Sequence, residues 1–170
     1  MTVANSQLHA AIKQIEFARQ YTFSLLEDIE DELWFRQPTG CETHVGWQVA
    51  HLAMAEYGLA LFRIRGRQTV DKELMPSRFR KQFSKGSAPD PNPDNNPSPP
   101  EIREVFNRVH AQVLEELPTL TDEQLSEPID APHAVTATKL GALFFCSHHE
   151  MLHAGQIGLL RRLLGKPPVR

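Results

Sequence analysis

In four separate stretches of this chain apolar residues recur at intervals of three and four, and nowhere is an alternation of apolar and polar residues sustained. The first pattern lines one face of an α-helix and the second would line one face of a strand, so the chain is constrained to an all-α fold. Leu8, Ile12, Ile15, Ala18, Thr22, Leu25, Ile29 and Leu33 form the first stripe, which predicts a helix of about eight turns. Pro38-Thr39-Gly40 ends it, and a second helix is expected from Val45 to Gly66, with Trp47, His51, Met54, Gly58 and Leu61 on one face. Ser98, followed by Pro99, Pro100 and Glu101, reads as the N-cap and first turn of a third helix carried by Ile102, Val105, Phe106, Val109, Val113 and Leu117. Thr121 to Gln124 matches a capping box for a short turn. A fourth helix is expected from about Thr138 to Leu164, stopped by Gly165 and Pro167.

The connections decide how these helices are arranged. The short link between helices 1 and 2 favours an antiparallel neighbouring pair. Between helices 2 and 3 the chain is first basic, carrying Arg63, Arg65, Arg67, Lys72, Arg78, Arg80, Lys81 and Lys85, with a short helix expected around Lys72 to Phe83. Residues 84 to 100 are then rich in proline, which removes amide donors and disfavours helix in the preceding residue, so this part must be a loop. A link this long can cross one end of a bundle and leave helices 2 and 3 parallel. The expected architecture is a single domain over residues 1–170, a four-helix bundle with a long crossover between helices 2 and 3. At 170 residues it can bury a full core without disulfides or a structural metal, so a metal would serve function.

Lys and Arg number 18 against 21 Asp and Glu, a formal net charge of −3, which argues against a nucleic-acid partner. MTVANSQLHAAIKQ lacks the apolar core of a signal peptide, and the longest apolar run, Gly141 to Cys146, is too short to span a bilayer. No membrane partner is expected, the expected location is cytoplasmic, and Cys41 and Cys146 are expected as reduced thiols.

Histidine is the residue in excess, with eight in the chain, and the chemistry concentrates in helix 4, FFCSHHEMLHAGQIGLLRRLLG. Ala142, Phe145, His149, Leu152, Gln156, Leu159 and Leu163 repeat at three and four, the seam expected of a helix packed in a bundle. His149 and Gln156 interrupt that seam. His153 follows His149 by four residues, so the two imidazoles lie only about 40° apart around the axis and can reach one point. A rigid pair of this kind fixes two nitrogen donors for a divalent metal before the ion arrives. A third donor should come from another helix, and His51, on the apolar face of helix 2, is the candidate because an uncompensated ring there would be costly to desolvate. Three histidines leave a coordination position open, as in catalytic sites. Imidazole suits zinc, nickel, iron and copper, so the ligands do not select among them; zinc or nickel is expected foremost, and iron next.

The same segment reads as H-E-x-x-H, His149-Glu150-Met151-Leu152-His153, the zinc-peptidase helix in which the glutamate activates water. Glu150 is therefore a catalytic candidate, although it could equally face solvent or a basic residue of a neighbouring helix, and no strands are expected that would hold a peptide substrate. Gln156 is a second catalytic candidate, placed to hydrogen-bond a metal-bound water or a ligand's partner. Cys146 reads as a small core residue. His44 and His148 have no assigned role.

TGCETHVGWQVAHLA in helix 2 and HHEMLHAGQIGLLRRLLGKPP in helix 4 resemble the two signature segments of the DinB/YfiT-like superfamily of metal-binding four-helix bundles, and the resemblance spans essentially the whole chain. It implies a divalent metal held by His51, His149 and His153, with water in the remaining positions; His153-Ala154-Gly155-Gln156 matches the most specific element. It also implies a small-molecule substrate and a low-molecular-weight thiol as cosubstrate, because characterised relatives include thiol-dependent S-transferases and isomerases, and it makes a homodimer plausible. Two function classes follow. One is a metal-dependent thiol S-transferase or hydrolase, and the other is a non-catalytic bundle that binds a metal or small molecule. In the first, the basic run from Arg63 to Lys85 would steer an anionic thiol to the site, a role tested by reversing Arg78 and Arg80.

Overall fold

The computed structural model describes residues 3–130 and 135–169, and among these it contains seven helices and no strand. The fold is all-α, as the periodicity predicts. Four long helices carry it: α1 (Val3–Leu26), α2 (Val45–Glu56), α5 (Pro99–Glu116) and α7 (Lys139–Leu163). α2 runs on without a break through a π-helical stretch, Tyr57–Phe62, and a final α turn, Arg63–Arg65. Three short helices lie in the connections: α3 (Asp71–Leu74), α4 (Ser77–Gln82) and α6 (Asp122–Ser126).

Caps set most boundaries where the sequence places them. Ser98 and Glu101 close a capping box at the start of α5, Thr121 and Gln124 do the same for α6, and Thr138 caps α7. Helix 1 is the exception. Its apolar stripe continues through Ile29 and Leu33, yet α1 stops at Leu26, because Arg161 of α7 hydrogen-bonds the Leu25 carbonyl and pairs with Asp28. The chain then turns, and Ile29, Trp34 and Phe35 still pack into the core from this turn. The single short helix expected around Lys72 to Phe83 is two helices, α3 and α4, with Pro76 between them.

Helix directions follow from which residues meet. Glu56 bonds His110 and Arg65 bonds Glu116, so α2 and α5 run parallel, as the long crossover requires. Gln14 meets Ser147 and Arg19 meets Glu150, so α1 and α7 also run parallel. Gln48 meets His153 and His51 meets His149, so α2 and α7 run antiparallel. α1 and α2 are thus antiparallel, but they are not the close neighbours their short link suggests: α1 packs along α7, and α2 packs between α7 and α5.

Only one of the two faces of α7 that carry apolar residues is buried. The seam proposed from sequence is half-exposed from Leu152 onward, with Leu152, Leu159 and Leu163 at 64%, 47% and 49% exposure and Gln156 also on the outside. The buried face is Leu143, Cys146, Ser147, Glu150, Ala154, Ile157, Leu160 and Arg161. His149 and His153 lie at the border between the two faces, each half-buried.

Candidate metal centre

His51 sits in the second turn of α2 and is 6% exposed, and its ring meets those of His149 and His153 across the α2–α7 contact. Ring centroids are 5.4 Å from His51 to His149, 4.9 Å from His51 to His153 and 4.5 Å from His149 to His153. One nitrogen from each ring lies within 4.8 Å of the others. Donors held tetrahedrally at about 2.0–2.1 Å from one ion lie about 3.4 Å apart, so shifts of under about 1 Å in each ring bring all three onto a common cation. The structure therefore brings together all three histidines singled out in the sequence.

Their surroundings fix which nitrogen is offered. Nδ1 of His51 donates to the Phe83 carbonyl at 2.8 Å, and Nδ1 of His153 bonds the side-chain oxygen of Gln48 at 2.5 Å. A carbonyl can only accept, so each Nδ1 carries the proton and each Nε2 keeps its lone pair for the cluster. Trp47 stacks flat on His51, with centroids 4.7 Å apart and planes 6° apart, and its indole N–H donates to Ser87.

Three contacts dock the crossover onto the start of α2. Phe83 pairs with His51, Ser87 with Trp47, and the Asp90 carbonyl with His44. The crossover thus advances by four and three residues while the helix recedes by four and three, so the loop runs antiparallel along one face of α2. His44 is the N-cap of α2: its Nδ1 accepts from the Trp47 amide and its Nε2 bonds Asp90. Gly46 is required beside it. A Cβ there would come within 2.6 Å of the Phe35 ring.

The electrostatics favour a metal over a proton. Burial lowers the proton affinity of His51, and it pushes His153 down to about 3, with His149 and His51 adding to the effect. Two rings that resist protonation, beside a third whose nitrogen lies within 4.8 Å of theirs, are a donor set for a divalent cation of borderline softness. Cys146 does not join them. It is buried, and desolvation, with Glu56 and Glu150 behind it, raises its thiol well above the ordinary range.

Of the two catalytic candidates, neither is shown acting at the cluster. Glu150 is 3% exposed, and Arg19 donates to both of its oxygens, at 2.9 Å from Nε and 3.2 Å from Nη2. Gln156 is on the exposed side of α7. Arg19 is itself fully buried: it also bonds Glu56 at 2.6 Å and the Phe106 carbonyl at 2.9 Å, and its guanidinium lies 3.4 Å from the centre of the Phe106 ring. One side chain of α1 thereby ties together α2, α5 and α7. His110 completes this group at 2.7 Å from Glu56. Burial alone would raise the Glu56 carboxyl, but Arg19 and His110 outweigh it and hold it below the usual range.

Sequence reasoning missed Gln48, His44 and the Arg19 group. Gln48 left a signal: it is an amide three residues before His51, in a helix otherwise apolar on that side. The Phe83 carbonyl left none, since backbone groups carry no sequence mark. The basic run divides. Arg65 is engaged by Asp71 and Glu116, while Arg78 opens onto a cavity of about 420 Å³ that it shares with Asp94, Glu101 and Glu104 and that none of the three histidines lines.

Among the described residues no helix is long and apolar enough to cross a membrane. No curated protein matches the chain significantly. The bundle topology and the pairing of one histidine from α2 with two from α7 agree with a family-wide match over residues 14–157, which is most of the chain: this protein belongs to the DinB superfamily.

Proposed function

We propose that the three imidazoles bind a divalent metal, zinc or nickel foremost, and that the protein is an enzyme transferring a low-molecular-weight thiol to an electrophilic small molecule. A cation held there would take the thiol as its thiolate and so supply the nucleophile at neutral pH. The observation that favours thiol transfer over hydrolysis is the engagement of Glu150. Hydrolysis at such a centre calls for a general base beside the attacking water, and the carboxylate that H-E-x-x-H offers is held by Arg19. Thiol transfer needs no such base once the thiolate forms. The chain's own contribution is orientation: Phe83 and Gln48 hold two rings with Nε2 inward, and Trp47 covers one face of His51.

The test is turnover of a panel of low-molecular-weight thiols with a chromogenic aryl halide, run beside a panel of esters. The expected result is thiol conjugation that is lost on chelation and in His149→Ala, with no ester hydrolysis. Metal verified as bound without thiol turnover would overturn the enzymatic reading and leave a binding bundle.

A further inference from the structure

We infer that Gln48 is a positioning residue that selects the metal-binding tautomer of His153. This rests on the proposed metal centre, and the reasoning starts from a difference between the two rings whose Nδ1 partners are visible. His51 faces a backbone carbonyl, which can only accept, so its tautomer has no alternative. His153 faces an amide side chain, which can present either its oxygen or its nitrogen. With the oxygen toward Nδ1, as here, the proton is on Nδ1 and Nε2 is bare. Turned over, the same amide would donate to Nδ1 and leave the proton on Nε2, where it blocks the cluster.

In the productive sense both ends of the amide are engaged. Its nitrogen donates to the Thr43 hydroxyl oxygen at 2.9 Å, and its oxygen is 2.5 Å from His153. Gln48 is 1% exposed, so water does not compete for either end. A neutral histidine side chain in water prefers the proton on Nε2. Without Gln48, His153 reverts to the form that must lose or move a proton before it can bind an ion. Thr43, Gln48 and His153 therefore form a chain of three hydrogen-bonded groups in which the Gln48 oxygen facing Nδ1 sets the state of His153.

The experiment compares wild type with Gln48→Met, which keeps the side-chain length and removes the hydrogen bonds, and Gln48→Glu, which can only accept. Ring ¹⁵N shifts of His153 in metal-free protein should report Nδ1–H in wild type and in Gln48→Glu, and Nε2–H in Gln48→Met. Zinc affinity, measured by competition with a chromophoric chelator, should fall about 10- to 100-fold in Gln48→Met and be at least retained in Gln48→Glu. An Nε2–H ring in metal-free wild type overturns the inference without any variant having to fold. So does a Gln48→Met protein with wild-type tautomer and affinity, or a Gln48→Glu protein as weak as Gln48→Met. Failure of wild type to bind zinc at all sinks the metal reading instead, and the tautomer measurement still decides the role of Gln48.

Discussion

Two of the buried polar groups among the described residues draw on both α2 and α7, and they end in opposite states. The group around Arg19 combines a cation, two carboxylates and a histidine, and its members satisfy one another: Arg19 donates to Glu56, Glu150 and Phe106, and Glu56 also takes His110. The group around His51 brings together three imidazoles, which cannot neutralise one another, with one nitrogen from each within 4.8 Å of the others. Glu150 directly follows His149 in sequence, yet the two belong to different groups because one residue turns a helix by about 100°. The difference teaches that a buried site stays open for a ligand when its groups are all of one kind. Mixed acids and bases close on themselves.

Removing the central cation gives the largest expected effect. Arg19→Leu leaves Glu56 and Glu150 buried without their partner, which should cost about 3–5 kcal/mol of stability in a urea titration. His149→Ala in the open group should leave metal-free stability far closer to wild type. If the two variants lose the same amount, the contrast between the groups is wrong.

Ligand response should differ in the opposite sense and by somewhat less. An ion that binds only the folded state at about 100 times its Kd stabilises by about 2.7 kcal/mol. Zinc at that excess should raise the melting temperature of wild type, and a chelator should reverse the shift. Neither should move His149→Ala or His153→Ala. Glu150→Gln should do the reverse, costing about 1–3 kcal/mol of stability through its weakened bonds to Arg19 while leaving zinc affinity unchanged. A zinc affinity that collapses in Glu150→Gln would place this residue at the metal centre.

The same contrast explains what could be read from the sequence. The three histidines were legible because an imidazole on an apolar helix face is conspicuous, and the i, i+4 spacing of His149 and His153 survives any error in which face is buried. The face itself was misread. Glu150 and Arg161 made the true buried side of α7 look polar, so the seam was drawn through Leu152, Leu159 and Leu163 instead. Both charges are buried with partners far away in sequence, Arg19 and Asp28, and no local pattern announces such pairs. The end of α1 was missed for the same reason, since Arg161 reaches it from the far end of the chain. Caps were legible because their chemistry is local, as at Ser98 and Thr121. Gln156 lies on the exposed side of α7, and the amide that meets His153 is Gln48 on the opposite helix.

His44 sharpens the comparison further, because it is a buried histidine with both nitrogens engaged and nothing left to offer a ligand. Burial lowers its proton affinity in the folded protein, and the bonds to Asp90 and Trp34 only partly oppose this. Its folded pKa thus lies below the value of about 6.5 it takes in the unfolded chain. The stability it contributes is present above that value and is lost as pH falls through the folded pKa, because the unfolded chain takes up the proton more readily. His44→Asn keeps an N-cap acceptor and removes the titration, so its stability should fall less steeply than wild type between pH 6.5 and lower values. The expected loss at neutral pH is about 1 kcal/mol or less, the smallest of these effects. Parallel stability profiles for the two proteins below pH 6.5 would show that proton uptake at His44 is not part of the acid response.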